Sequence, residues 1–439
     1  MLYFTRRSSV DCTCSKFLPI FLATMSVTYF RSSQNCVHVL ANYCPHPSSS
    51  NRRALPTTRI AAVAVGEGIF KWADSKEDSN LTAGSLSLTP NFILPVERRP
   101  NLTDFAQSRA DGHLIPVIDL GMRNVKNHET DDGLNSPRKN VVIEEIARAC
   151  KDYGLFQITN HGISEGLCQE MLDAVRDLFH LPPQVKARLV SDDSSKEVRI
   201  CNHYRKVEDG DNNNNRKKLS MWSEAFKHPW HPVDDSFALL LPPDPPNYCL
   251  VAARYAKEVG ILMAELFRLM SQSLGMEDEN YLQKRLGNKP LCRMQSNYYP
   301  PCPDPDLTLG LGVHTDRDAL TVVLPTSNIP GLQIMKDDKW ITVDPVPNAL
   351  IVNLGDQLQV LSNGKYKIVL HRVVTNQLQS RISLATFYGP DKNALIGPIE
   401  SLVDEKHPAL YRDYYFREFR EVYRRQEGKN RNIKEFLQV

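Results

Sequence analysis

The residues with the clearest capacity for chemistry are His314-Thr315-Asp316, His371 and, ten positions further on, Arg381-Ile382-Ser383. Two imidazoles and one carboxylate can occupy one face of an iron(II) ion and leave the other positions open for a chelating cosubstrate and dioxygen. Residues two apart on a strand project to the same side. His314 and Asp316 can therefore reach one ion near a strand end while Thr315 points away, and His371 closes the set from another strand. A His-x-Asp triplet alone occurs by chance in many proteins. This one gains weight from its strand-rich surroundings and from the second constellation just beyond the third ligand.

That second constellation suits a dicarboxylate. A keto acid that chelates iron at one end needs its far carboxylate fixed in a buried pocket, and a guanidinium forks onto a carboxylate with two hydrogen bonds. Arg381 supplies the fork, Ser383 on the same strand face adds a hydroxyl, and Tyr299 in Asn297-Tyr298-Tyr299 adds a phenol. His161 in Asn160-His161-Gly162 competes as a metal ligand, but its place after a strand and beside a glycine reads as turn chemistry. His180, His203, His228, His231 and His407 lack a carboxylate at comparable spacing and read as surface residues. Trp222, Phe226 and Phe387 could line a pocket for a flat aromatic compound, although core packing is the more ordinary role for each.

The elements that must carry these side chains can be traced along the chain. Leu114 to Leu120 reads as a strand, Val141 to Tyr153 as a helix stopped by Gly154, and Leu155 to Thr159 as a second strand. Ser164 can cap a helix whose Leu167, Met171, Val175 and Leu178 form one stripe. Between Ser191 and Lys218 the periodicity fails, and the run Asn212 to Asn215 predicts an exposed, mobile loop that gates the substrate entrance. A long amphipathic helix from about Cys249 to Leu274 braces the strand-rich half beyond it. After Pro290 the period shifts to two, in 331–335, 339–343, 350–354, 368–370 and 382–385. Turns at Asp337-Asp338 and Asn363-Gly364 join such strands into a double-sheet roll or barrel, closed by a helix over 411–425.

Composition bounds the remaining possibilities. The chain has 439 residues, 41% hydrophobic and 24% charged, and a formal charge of +2. Such a balance points to a globular enzyme with small-molecule clients and away from nucleic acid. Its ten cysteines contain no CxxC pair, which suits a reduced setting. No apolar run approaches the roughly 18 residues of a membrane span. The first 66 residues are rich in Ser and Arg with Asp11 as their only acid. They read either as an organelle transit peptide or as a disordered leader, with Met25 as a later start.

With these residues in place, the chain resembles the plant soluble 2-oxoglutarate- and iron(II)-dependent dioxygenases. The motifs that carry the resemblance are Asn297-Tyr298-Tyr299-Pro300-Pro301-Cys302-Pro303, His314-Thr315-Asp316, Asn353-Leu354-Gly355-Asp356-Gln357-Leu358, His371-Arg372-Val373 and Arg381-Ile382-Ser383. Ile115 to Leu120 and Gly154 to Gly162 are similar to that family's first domain, and the likeness runs from about Pro90 to the C-terminus. It implies a mainly β fold with flanking helices and a double-stranded β-helix (jelly-roll) core, as in isopenicillin N synthase. It divides the chain into a leader (1–80), a mixed helix and strand dioxygenase region (81–288) and a jelly-roll core with a C-terminal helix (289–439). It places iron(II) on His314, Asp316 and His371, and 2-oxoglutarate on Arg381, Ser383, Tyr299 and Asn297, with ascorbate as reductant. The implied reaction hydroxylates a small plant metabolite or hormone with O2, releasing succinate and CO2.

Asp356 to Gln359 and Leu361 to Lys367 look closest to enzymes acting on flavanones or salicylic acid. Asn212 to Asn215 and Met221 to Phe226 depart from that subgroup near the expected substrate entrance. Two alternatives stay open: an ascorbate-dependent oxidase of the same fold that does not use 2-oxoglutarate, and a non-catalytic binding homologue. The expected state is a monomer without nucleic-acid or membrane partners, in the cytoplasm or, with a transit peptide, in the plastid.

Overall fold

Strand β12 (Arg381–Gly389) is buried at all nine positions, which a strand achieves only when both of its faces are covered. A second sheet covers one face and helices cover the other. The computed structural model describes residues 88–101, 114–122, 137–207, 217–326, 329–425 and 437, all within one unit, Val65–Val439.

Among the described residues the larger sheet has eight strands and the smaller one four. The order in the larger is β1 (Val117–Met122), β2 (Leu155–His161), β10 (Leu350–Leu354), β7 (Leu320–Pro325), β12, β5 (Leu291–Tyr299), β4 (Lys217–Pro229) and β3 (Arg199–Val207). The smaller sheet is ordered β6 (Leu311–His314), β11 (His371–Val373), β8 (Leu332–Lys336) and β9 (Lys339–Thr342). From β5 onward the chain passes back and forth between the two sheets, which is the jelly-roll core expected from the sequence. The strands of the N-terminal half extend the larger sheet at both of its edges. Among the described residues no helix is long and apolar enough to cross a membrane.

Period-two alternation separates the two faces of the larger sheet. Ile382, Leu384 and Tyr388 of β12, with Met294 and Tyr298 of β5, join one apolar cluster with the helices. Those helices are α1 (Pro137–Asp152), α2 (Glu165–Phe179) and α3 (Tyr248–Ser273). The opposite parity, Arg381, Ser383 and Phe387 beside Tyr299, Asn297 and Arg293, turns toward the smaller sheet. Tyr299 there packs with Leu332, Ile334 and Val373.

Most local expectations hold. Ser164 Oγ accepts from Leu167 N at 3.2 Å and caps α2, and Leu167, Met171, Val175 and Leu178 are buried. Gly154 ends α1 at φ +68°, and a Cβ there would lie 2.2 Å from the Lys367 carbonyl oxygen, so no other residue fits. Asp337 and Asp338 take φ of 49° and 58° in the β8–β9 hairpin, a type I′ turn.

Others are corrected. Part of the loop expected over 191–218 is strand: residues 191–198 are irregular, but β3 takes up 199–207 and pairs antiparallel with β4 from Lys217, and residues 208–216, with Asn212 to Asn215, lie outside the described residues. The pattern fails there because β3 is an edge strand whose Arg199, Cys201 and His203 border a cavity and not an apolar core. Residues 368–370 are not a strand, since pairing begins at His371. Asn363-Gly364 follows a short helix, α4 (Asp356–Leu361), and joins no strands. The closing helix α5 spans only Phe416–Arg425 and is preceded by a two-residue strand.

His228 is also not a surface residue. It is fully buried, with Nε2 2.9 Å from the Tyr248 hydroxyl and Nδ1 2.7 Å from the Pro229 carbonyl. Burial pushes its pKa down from 6.5 to about 4. Between those values the unfolded chain binds a proton that the folded chain refuses, so stability falls as pH drops through this window, by up to about 3 kcal/mol, and is unaffected by this group above it. Urea unfolding at pH 7.5 and pH 5 measures the loss, and His228→Gln is expected to remove this pH-dependent part whatever the substitution costs at pH 7.5.

Candidate active site

His314 ends β6, His371 opens β11, and the two are direct partners across the antiparallel ladder. Opposed residues carry their side chains on one face with Cβ atoms about 5 Å apart. The imidazole centroids are 4.1 Å apart with planes inclined at 51°. Nδ1 of His314 lies 2.8 Å from the Gly312 carbonyl, and Nδ1 of His371 lies 3.1 Å from that of Val369. A carbonyl only accepts, so both Nδ1 atoms carry the hydrogen and both Nε2 atoms present lone pairs. These lone-pair nitrogens stand 4.0 and 3.8 Å from Asp316 Oδ1, too far for hydrogen bonds. One ligand atom from each residue lies within 4.8 Å of the other two. Two lone pairs and a carboxylate oxygen gathered with no shared proton form a cation site, and this donor set fits iron(II).

Asp316 lies just past the end of β6, and the turn between β10 and α4 holds it there. Asp356 N donates to the Asp316 carbonyl at 2.8 Å and Gly355 N to that of Ala319 at 2.8 Å. Gln357 Nε2 donates to the Arg317 carbonyl at 2.7 Å, and Asn353 Nδ2 reaches Asp316 Oδ2 at 3.3 Å. Asn353 to Leu358 thus acts as a clamp on the metal loop, a role its sequence does not announce. A polar Asn353 in the apolar strand Leu350 to Leu354 was the available signal.

The Arg381 constellation is assembled between the sheets. Arg381 is directly opposite Tyr299 on the β12–β5 ladder and Ser383 is opposite Asn297. Arg381 is buried; its Nε donates to the Ile329 carbonyl at 3.3 Å, and its Nη1 has no hydrogen-bond partner among the described residues. Burial lowers its pKa, and the Tyr299 phenol opposes that shift. A buried guanidinium with no Asp or Glu beside it among the described residues is costly unless an anion arrives. Burial also raises the Tyr299 phenol, against the pull of Arg381 and Ser383. The Asn297 amide is engaged within the protein, with Oδ1 2.9 Å from Gln295 Nε2 and 3.3 Å from His203 Nε2.

His314 and Asp316 open onto a cavity of about 850 Å³ lined also by His203, Lys227, Arg293 and Phe387. His203 is therefore not a surface residue; burial first, and then the charge of Lys227, hold its pKa well below 6.5. Of the three aromatic candidates only Phe387 lines the cavity. Phe226 is in the helix-side core, and Trp222 packs edge-on against Phe92 at 5.0 Å. His161 is buried, bonded to the Asn348 carbonyl at 3.1 Å and to Ile163 N at 3.3 Å, in keeping with a turn role. Sequence reading missed Arg293 and Gln295, although they continue the polar parity of Asn297 and Tyr299 along β5.

A jelly roll with two histidines and an aspartate at one mouth defines the class of non-haem iron oxygenases. Residues 290–390 match the 2OG-Fe(II) oxygenase superfamily, and residues 115–247 match the region described as non-haem dioxygenase in morphine synthesis N-terminal. The chain is similar to Protein DMR6-LIKE OXYGENASE 1 of Arabidopsis thaliana, 38% identical over 338 residues that cover 77% of this chain and 89% of that protein. It is similar to Flavanone 3-dioxygenase 2 of Oryza sativa subsp. japonica, 36% identical over 338 residues, 77% of this chain and 90% of that protein. The crystal structure of JOX2 in complex with 2OG, Fe and JA superposes with a TM-score of 0.66 at 32% identity, covering 82% of this chain and 96% of that one. The chain belongs to the 2OG-Fe(II) oxygenase superfamily as a 2-oxoglutarate-dependent dioxygenase, with iron(II) as cofactor and 2-oxoglutarate as cosubstrate.

The clamp predicts a steric sensitivity at Gly355. A Cβ there would lie 1.9 Å from the Asp318 carbonyl oxygen and 3.1 Å from that of Asp316, so backbone must shift. Gly355→Ala is expected to cost about 1–3 kcal/mol and to weaken iron(II) binding, read by thermal unfolding and by metal titration. Gly166→Ala, with nothing within 4 Å of its Cβ, serves as the neutral control.

Proposed function

We propose that His314, Asp316 and His371 hold the iron(II), and that Arg381 and Ser383, with Tyr299 and Asn297 beside them, hold 2-oxoglutarate. The enzyme then hydroxylates a small plant specialised metabolite or hormone of flavonoid or phenolic acid type. The observation that carries this reading is the buried Arg381 guanidinium, which has no carboxylate partner among the described residues and stands between the same two sheets as the three metal donors. A dicarboxylate chelating the metal at its keto acid end brings its far carboxylate to that fork. A relative named as a flavanone dioxygenase supports the flavonoid part of that range.

Bound iron(II) supplies oxygen activation, coupled to decarboxylation of 2-oxoglutarate to succinate and CO2. The chain supplies position. The two Nδ1 hydrogen bonds fix each imidazole so that Nε2 remains a ligand, and the β10–α4 clamp sets the carboxylate. Arg381 and Ser383 orient the cosubstrate, and the cavity beside His314 admits the organic substrate to the open side. Residues 81–288 and 289–439 act as one catalytic body, because β4 pairs with β5 along Glu224 to Pro229, with 1–80 as a leader. The protein works as a monomer in the cytoplasm, or in the plastid if residues 1–66 direct it there, with ascorbate keeping the iron reduced.

Succinate formation tests the reading, with iron(II), ascorbate and 2-oxoglutarate against a panel of flavanones and phenolic acids. One compound is expected to stimulate turnover, and His314→Ala to abolish it. Arg381→Gln should raise the KM for 2-oxoglutarate by roughly 10–100-fold, the worth of a charged hydrogen-bonded pair. Product formation that does not need 2-oxoglutarate would instead identify an ascorbate-dependent oxidase.

A further inference from the structure

Among the described residues, seven Lys or Arg against three Asp or Glu line the cavity beside His314. Several of the seven are accounted for by neighbouring groups: Arg372 by Gln333 Oε1 at 2.8 Å and the Trp340 ring at 4.0 Å, and Arg99 by the Leu94 carbonyl at 2.8 Å. Lys227 and Arg293 are not. Lys227 Nζ has no carboxylate within 4.0 Å among the described residues, and its bonded neighbour is the Cys201 thiol. Arg293 Nε is buried without a hydrogen-bond partner among the described residues. The nearest acid to Arg293, Asp318, stands 3.9 Å from its Nη2 and is shared with Arg317 at 3.6 Å. Its guanidinium lies over the Phe387 ring, 4.5 Å from the centroid.

These charges repel one another. Burial lowers the Lys227 pKa, and Arg293 and Arg199 lower it further, against Cys201. Burial and Arg317 bring Arg293 down to about 10, opposed by Asp318. A cavity wall with surplus positive charge is costly unless something anionic sits against it. The cosubstrate does not meet that need. On β12 and β5, Arg381–Tyr299 and Phe387–Arg293 are separated by six residues of ladder, about 20 Å of strand. A molecule of the size of 2-oxoglutarate, held at Arg381, ends at the metal.

We propose that Lys227 and Arg293 anchor the organic substrate through an anionic carboxylate, with Phe387 covering its ring, so that the enzyme selects a planar carboxylic acid over a neutral flavonoid. This rests on the site assignment made above and narrows its substrate class. Asp318 is shared between Arg293 and Arg317 and can neutralise only one of them, which leaves Lys227 and part of the guanidinium charge to meet an incoming anion. A guanidinium edge freed by stacking on Phe387 pairs with the two oxygens of a carboxylate.

The test uses the holoenzyme, with iron(II) and 2-oxoglutarate under anaerobic conditions, titrated with 2-naphthoate, its methyl ester, 2-naphthyl sulfate and the neutral flavanone naringenin. 2-Naphthoate is expected to bind at least about tenfold more tightly than the ester or the flavanone, the discrimination a charged hydrogen bond provides. Lys227→Gln and Arg293→Gln should each remove most of that preference while leaving the affinity for 2-oxoglutarate unchanged. Equal binding of acid and ester overturns the proposal, as does tighter binding of the sulfate than of the carboxylate. If Lys227→Gln weakens 2-oxoglutarate instead, the cations serve the cosubstrate and the proposal fails. A failed assignment of Arg381 shows separately, as unchanged 2-oxoglutarate affinity in Arg381→Gln. Should both cavity variants prove unfolded by circular dichroism, the acid-to-ester ratio of the wild-type protein decides alone.

Discussion

The antiparallel pairing of His314 with His371 is the constraint on which the rest of the site depends. Direct opposition across β6 and β11 brings two imidazoles to one face, and a register slip of one residue would send one ring to the other side of the sheet. Strand geometry then has nothing left to offer for the third donor, because β6 stops at His314. Asp316 must come from irregular backbone, and irregular backbone holds its place only if its polar groups are bonded elsewhere. The turn from β10 into α4 meets that requirement with hydrogen bonds to Asp316, Arg317 and Ala319.

A second constraint is the division of labour between the two faces of the larger sheet. The helix-side face is apolar and continuous with α1, α2 and α3, and burial there contributes roughly 1.5–3 kcal/mol for each large side chain. The inner face carries Arg381, Ser383, Asn297, Gln295, Arg293 and Lys227, groups whose desolvation opposes folding. The sheet tolerates such an inner face because its other side is well packed. That is also why the cations there are informative: stability alone would have replaced them, so their burial points toward ligands.

Much of this was legible in the chain. The α2 cap at Ser164, the stop at Gly154 and the hairpin at Asp337-Asp338 rest on local physics, in which a hydroxyl, a missing Cβ or a positive φ suffices. Short apolar runs such as β8 and β10 showed themselves because their composition is read along one segment. Legibility failed where burial was not apolar. β3 borders a cavity and offers no alternation, so it read as loop. His228 and His203 read as surface because a histidine's partners, here the Tyr248 hydroxyl and the Asn297 amide, lie far away in sequence.

Residue type and spacing were enough to establish the chemistry available to this protein: which donors exist, which strand-like segments carry them, and that a guanidinium and a hydroxyl share a strand face. Those are properties of a single element read along its own length. It took the folded arrangement to set His314 opposite His371, to secure Asp316 with the Asn353 to Leu358 segment, and to bring Lys227 and Arg293 together across β4 and β5 at the metal's cavity. Each of these is a contact between segments distant along the chain, fixed by strand register and sheet order. No local pattern encodes it.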